Sequence, residues 1–173
     1  GYTTPLVANL MATRRRLAMA LETDVQNIHQ RWVERTAHPL PPEIVKTGPC
    51  KENIMHGEQV DLFNFPMPTW NEFDGGPFIT LPHHISRGPL SHQRNMSIYR
   101  AQVHDKHTIG LLAAPYRHLI FHRDERKDTK EPFPVAVVIG VDPAVTIAAS
   151  GCFATGVDEL AMAGALRGAP IEL

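Results

Sequence analysis

The residues best suited to chemistry gather between Asp74 and Arg100, in the run DGGPFITLPHHISRGPLSHQRNMSIYR. Size and polarity alternate over Asn95-Met96-Ser97-Ile98-Tyr99-Arg100 and on through Ala101-Gln102-Val103. That pattern predicts one strand, with Asn95, Ser97 and Tyr99 on one face and Met96, Ile98 and Arg100 on the other. If the second face is buried, its guanidinium needs an anion, because burying an unpaired charge is costly. A ligand carboxylate or phosphate is one candidate, since guanidinium meets either through two parallel hydrogen bonds. The commoner alternatives are a protein Asp or Glu partner, or a strand-edge position from which the head reaches water.

Ten histidines in 173 residues raise the prospect of metal or acid-base chemistry without locating it. His83, His84 and His92 fall with Arg87 and Arg94 in what reads as a polar, proline-interrupted loop. His118 and His122 stand at i, i+4, a spacing that can chelate a metal from one helix face. The intervening Leu119-Ile120-Phe121 lacks the Glu of a zinc-protease helix, so either histidine alone as a ligand is the better question. Ser150-Gly151-Cys152 is a small-residue turn whose amides suit phosphate, although a helix-ending glycine is the more frequent meaning. Cys50 and Cys152 lie far apart with no CxxC pair, which points to neither a zinc knuckle nor a disulfide framework. No base is evident that would make Cys152 a nucleophile. The phosphate-loop, dinucleotide and nucleophile-elbow motifs are absent, and no repeat of 20 to 50 residues is evident.

Around these residues the elements alternate. Leu6 to Leu21 has helical spacing at Leu10, Met11, Arg14, Leu17 and Leu21; Thr23-Asp24-Val25-Gln26 fits a capping box for a second helix with Val25, Ile28, His29 and Trp32 facing the core. Pro39, Pro41 and Pro42 end it. Short strands or a strand and a loop are expected from Pro42 to Asp61, with Glu43 to Lys46 followed by a turn at Thr47-Gly48-Pro49. The proline-punctuated Leu62 to Trp70 suits an extended stretch packed under other elements. Phe78 to Leu81 reads as a strand, and Gln102-Val103-His104 with Thr108 to Ala114 as a hairpin. Phe133 to Gly140 reads as a further strand. Asp142-Pro143 opens a helix to about Ala149, and another runs from about Asp158 to Arg167 before Gly168. The chain begins at a glycine, and Pro170 to Leu173 reads as the start of another strand, as in a piece of something longer.

Composition bounds the class. A chain 43% hydrophobic and 20% charged can build a packed core, and a formal net charge of −1 offers no electrostatic case for nucleic acid or an anionic membrane. Apolar runs are too short to span a bilayer, which with two cysteines suggests a soluble, cytoplasmic protein.

Taken together, DGGPFIT, RNMSIYRAQVHDKHTIGLL, PFPVAVVIGVDPAVTIAA and GVDELAMAGALRGAPIEL, in that order, resemble the UbiD family of non-oxidative decarboxylases from about Pro42 to the end. The resemblance implies a mixed α/β fold: residues 1–41 as the helical part of an N-terminal α/β domain, and 42–173 as the start of a split β-barrel that binds flavin. It implies reversible decarboxylation of an aromatic or α,β-unsaturated acid on prenylated FMN. It also implies a divalent metal, manganese in this reading, with potassium as a further ion. On that match Asn95 and His118 would hold the metal, and Asn95, Met96, Ser97, Ile98, Tyr99, Arg100, Arg117, His118 and Ser150 would face the cofactor. Arg100 would be the active-site arginine beside the substrate carboxylate.

Two departures accompany it. The family's metal-binding His commonly follows Pro-Gln, whereas here the order is Pro115-Tyr116-Arg117-His118; a gapless match puts Arg117 in its place, and a one-residue slip puts His118 there. The metal-binding Glu and the proton-donating acid fall farther along than Leu173, so this segment alone is expected to lack them. Expected partners are the small acid substrate, a flavin prenyltransferase that supplies cofactor, and further copies of the chain. Two competing readings are a flavin-binding or assembly subunit without turnover, and a metal hydrolase built on the histidines.

Overall fold

Two three-stranded antiparallel sheets and five α-helices organise residues 2–173, the residues described by this computed structural model. Helices α1 (Arg14–Ala20) and α2 (Ile28–Thr36) come first. Strands β1 (Phe78–Ile79), β2 (His83–Arg87), β3 (Arg94–Ile98), β4 (Ala101–Val103) and β5 (Ile109–Leu111) follow, then α3 (His118–Asp124), β6 (Val135–Val138), α4 (Pro143–Ala149) and α5 (Glu159–Arg167). One sheet has the order β1-β4-β5 and the other β3-β2-β6. The mixed α/β class read from the sequence is the one observed.

The late helices form where the capping residues predict. Asp142 Oδ1 accepts from Ala144 N at 2.7 Å with Pro143 at the first helical position, and Asp158 Oδ1 accepts from Leu160 N at 2.9 Å. Gly168 closes α5 at φ 82°, a left-handed conformation that costs other residues strain. The two helices pack on each other and, with Met96 and the ends of the early helices, make the main core: Leu21, Met96, Val145, Ala148, Leu160, Leu166 and Ile171 are all buried. Trp32 packs against this cluster and stacks on Phe153 with ring centroids 5.9 Å apart. A smaller core of Met67, Ile79 and Val103 lies against β1 and β4.

Several expectations change. The first helix is only Arg14–Ala20, capped by Thr13; Leu6 and Leu10, ahead of it, are exposed and give that segment nothing to pack on. The predicted capping box does not form, because Asp24, not Thr23, precedes the turn at Val25–Asn27, and its side chain makes no capping bond. His29 points to water while Ile28 and Trp32 take the core side. Glu43 to Lys46 makes no strand, only a parallel bridge from Glu43 to Glu172. In Leu62 to Trp70 the packing falls to Met67 and Leu62, and Phe63, Phe65 and Trp70 stay exposed. The strand at Phe78 stops at Ile79.

Two corrections bear on the site. The stretch Asn95 to Val103 is two strands, broken at Tyr99-Arg100, where the chain passes from one sheet to the other. Arg100 is therefore exposed in the break instead of buried beside Met96 and Ile98, and its guanidinium lies 5.8 Å from the Phe78 ring centroid. The supposed loop at His83 to Arg87 is β2, the central strand, with both histidines buried. Two histidines and a serine within five residues mask its β character, because burial between β3 and β6 overrides their polarity.

Candidate functional site

Alternation along the paired strands sorts their side chains. Ser86 stands opposite Asn95 and His84 opposite Ser97, so these four share one face of the sheet; Ile85 opposite Met96 and His83 opposite Ile98 share the other. The apolar set meets the core beside α4 and α5. The polar set turns toward α3, which packs on β2 and β3.

Edge strand β3 is stitched to the start of α5 on both sides of Asn95. Arg94 pairs with Asp158 at 2.9 Å, and the backbone N–H of Met96 donates to Glu159 Oε2 at 2.9 Å. Glu159 is buried, and burial pushes its carboxyl above the ordinary range while the Met96 N–H pulls the other way. Asn95, held between these ties, is 1% exposed, and its side-chain nitrogen has no hydrogen-bond partner among the described residues. Ser97 donates to its carbonyl oxygen only at 3.4 Å. A buried amide so poorly satisfied in a well-tied strand is a candidate for a ligand absent from the chain itself.

Asn95 opens on a cavity of about 100 Å³ that is also lined by His118, His122, Glu125 and Thr155. His118 is the first residue of α3, and its Nε2 lies 3.2 Å from the Thr155 hydroxyl. His122 is buried one turn on, with Nδ1 2.9 Å from Ser86 Oγ, and burial lowers its pKa. Glu125 accepts from Leu90 N at 2.8 Å and Ser91 N at 3.1 Å; its hydrogen bonds to Ser91 and Leu90 hold its carboxyl below the usual range. No cluster of three His, Cys, Asp or Glu with metal-site geometry occurs among the described residues. An Asn carbonyl oxygen and an imidazole nitrogen on one small cavity nevertheless suit a divalent cation, with further oxygens needed to complete its shell.

Beside this lies a wider cleft of about 450 Å³, lined by Tyr99, Leu112, Ala113, Ala114, Pro115, Tyr116 and Arg117. Its size and apolar walls suit a planar cofactor or substrate. Arg117 ends there, over the Tyr116 ring at 5.6 Å, whereas His118 faces the Asn95 cavity. Tyr99 is buried with its hydroxyl unpartnered, and burial raises its pKa; its ring meets His84 edge-on at 5.6 Å. The remaining sequence candidates lie elsewhere. Met96 fills the core, and Ser150, at the end of α4, donates its hydroxyl to Thr146 O at 2.9 Å. Arg100 has no Asp or Glu partner among the described residues, which removes one of the alternatives for it. The sequence reading missed Ser86, Glu125 and Thr155, whose roles depend on contacts 34 to 37 residues away.

Residues 42–173 match the sequence pattern of UbiD, the 3-octaprenyl-4-hydroxybenzoate carboxy-lyase Rift-related domain. The fold superposes on an evolved dimeric form of the UbiD-class enzyme HmfF from Pelotomaculum thermopropionicum in complex with prFMN, with TM-score 0.93 and 36% identity over 100% of this chain and 41% of that one. Vanillic acid decarboxylase from Sedimentibacter hydroxybenzoicus, in its closed form, gives 0.90 and 28% over 99% and 39%. Apo 3,4-dihydroxybenzoic acid decarboxylase from Klebsiella pneumoniae gives 0.88 and 27% over 99% and 37%. The chain thus spans about two fifths of the length of these enzymes. No helix among the described residues is long and apolar enough to cross a membrane. With the family's sequence pattern over three quarters of its length and the family's fold over all of it, this chain belongs to the UbiD family of decarboxylases.

Proposed function

We propose that this chain is the metal- and cofactor-binding segment of an enzyme that reversibly decarboxylates an aromatic or α,β-unsaturated acid on prenylated FMN. The observation that carries this reading is the meeting of Asn95 and His118, from β3 and α3, on one cavity. Asn95 Oδ1 and a ring nitrogen of His118 would hold a divalent cation, manganese in the simplest case, which would supply positive charge for an anionic cofactor. Prenylated FMN, when bound, supplies the electron sink that lets a carboxylate leave as CO2. The apolar cleft at Tyr99 and Leu112 offers the ring of the reacting acid an apolar surface, with Arg117 as a cation at its rim. Arg100, exposed and without a carboxylate partner among the described residues, pairs with the substrate carboxylate and orients it. Residues 1–41 belong to a preceding α/β domain, and 42–173 begin the split barrel; the start of the family match at residue 42 supports that division.

The test uses the full-length protein made together with a flavin prenyltransferase. Wild type should release prenylated FMN and manganese on denaturation and liberate CO2 from its acid. Arg100→Ala should keep the cofactor and lose at least about 100-fold in decarboxylation, as expected when a group that orients the substrate is removed. Asn95→Ala should lose the manganese. Cofactor and metal retained by both variants, with CO2 release unchanged, would sink this assignment.

A further inference from the structure

One face of α3 repeats a polar contact every turn. His118, His122 and Glu125 stand at i, i+4 and i+7, the spacing of a single helical stripe, and all three line the Asn95 cavity. His118 leads the stripe. His122 shares a hydrogen bond with Ser86 Oγ at 2.9 Å, both side chains buried. Glu125 reaches past the end of the helix and accepts from Leu90 and Ser91 in the turn between β2 and β3. That turn closes tightly on the carboxylate: a Cβ at Gly88 would stand 2.1 Å from Ser91 Oγ and 2.9 Å from both Glu125 oxygens.

The strands offer a matching ladder. Ser86, which takes His122, is the direct cross-strand partner of Asn95, the residue that faces the cavity with His118. Four residues of helix rise about 6 Å, close to the roughly 5 Å between cross-strand neighbours. One i, i+4 pair on α3 therefore spans one rung of the β2-β3 ladder. The other directional tie to the helix among the described residues is at its first residue, where His118 Nε2 lies 3.2 Å from the Thr155 hydroxyl, an exposed contact, whereas Ser86 and His122 are both buried. Its N-cap, Arg117, makes no side-chain capping bond, and Tyr116 and Arg117 ahead of the helix and Arg123-Asp124 at its end are exposed. Buried Leu119 adds apolar contact, which has no direction.

We propose that Ser86 and His122, backed by Glu125, form a latch that fixes the height and rotation of α3 so that His118 faces Asn95 across the metal position. They are positioning residues, and the proposal rests on the reading of Asn95 and His118 as metal ligands. A slip by one residue would move the helix about 1.5 Å and swing His118 by about 100°, off the cavity. The hydrogen bond between buried Ser86 and His122 is what makes that slip unfavourable.

The probe is Mn2+ binding to the full-length protein without flavin, followed by calorimetry well below the unfolding temperature, with circular dichroism to confirm folding. Ser86→Ala changes no charge and removes one oxygen. It is expected to weaken Mn2+ about tenfold or more, the usual effect of losing a group that orients a metal ligand. Ser86→Thr keeps the hydroxyl and should stay within about threefold of wild type. A merely structural serine would lower the unfolding temperature and leave Mn2+ affinity alone. That result, or equal weakening by Ala and Thr, overturns the latch while Asn95→Ala still abolishes binding. Failure of the wild-type protein to bind Mn2+ overturns both the ligand assignment and the latch.

Discussion

The sheet β3-β2-β6 has two faces drawn from the same few residues, and they are built on opposite terms. On one, Ile85, Met96 and Ile98 meet a core of Ala, Val and Leu from α4 and α5, where shape and area decide the outcome. On the other, His84, Ser86, Asn95 and Ser97 are packed at least as deeply but carry polar atoms, and several of those atoms lack partners among the described residues. The first face stores stability. The second gives some of it up, since an unsatisfied buried polar group costs about 1–3 kcal/mol, and does so where Asn95 meets His118. His83 is the exception, a buried histidine on the apolar face; the Val138 backbone approaches it without hydrogen-bond geometry, and burial lowers its pKa.

Adjacent substitutions on β3 should therefore separate stability from binding. Met96→Ala removes a side chain that is 1% exposed, and a loss of about 2–5 kcal/mol is expected from the vacated volume, read as a lower denaturant midpoint. Asn95→Ala, one residue away, should cost no more than about 1 kcal/mol, because its amide nitrogen makes no hydrogen bond that would be lost. If the two cost the same, the contrast between the faces is wrong.

His84→Phe sharpens the polar side. Phenylalanine keeps the aromatic edge against Tyr99 and removes two unpartnered nitrogens, so a gain of about 1 kcal/mol is expected in thermal unfolding at pH 7. The pH dependence follows from burial, which lowers the His84 pKa below the 6.5 usual for a solvated imidazole. Between its folded value and 6.5 the unfolded chain binds the proton more readily. Wild type should therefore lose stability as pH falls through that interval, and the variant should lose less of it.

How much of this could be read in advance differs between the faces for the same reason. Capping residues and the run Val135 to Val138 announce α4, α5 and β6 because their signals are local: a carboxylate two residues ahead of an amide, or a block of β-branched side chains. The Asn95–His118 pairing came only through family likeness, since no spacing rule brings residue 118 to residue 95. Strand β2 reads as a loop in sequence because histidine and serine suggest one, and only its two neighbouring strands make it a strand. The break at Tyr99-Arg100 was hidden by an alternation that runs on unchanged while the chain changes sheets. Arg100 consequently sits in the open, and the case for an anion beside it rests on its lack of a protein carboxylate instead of on burial.

The smallest effect is expected at Glu159, where the two faces share a support. Its carboxylate holds the Met96 N–H, beside Asn95, at the cost of being buried, and burial is the larger influence, raising its pKa above 4.5. The folded protein therefore binds this proton more tightly than the unfolded chain does. The stabilising contribution from protonation is full below about pH 4.5 and is lost as pH rises through the folded value. Glu159→Gln can accept the same N–H through its amide oxygen and carries no charge to desolvate. Relative to wild type it should gain steadily across that interval and then hold a constant advantage at neutral pH. The gain should stay under about 1 kcal/mol, because the weaker neutral hydrogen bond offsets part of it. Thermal unfolding of both proteins from pH 4 to 8 reads the difference. A variant that is instead less stable at pH 7 would mean that the charged hydrogen bond to β3 outweighs burial, and that the tie holding Asn95 is itself electrostatic.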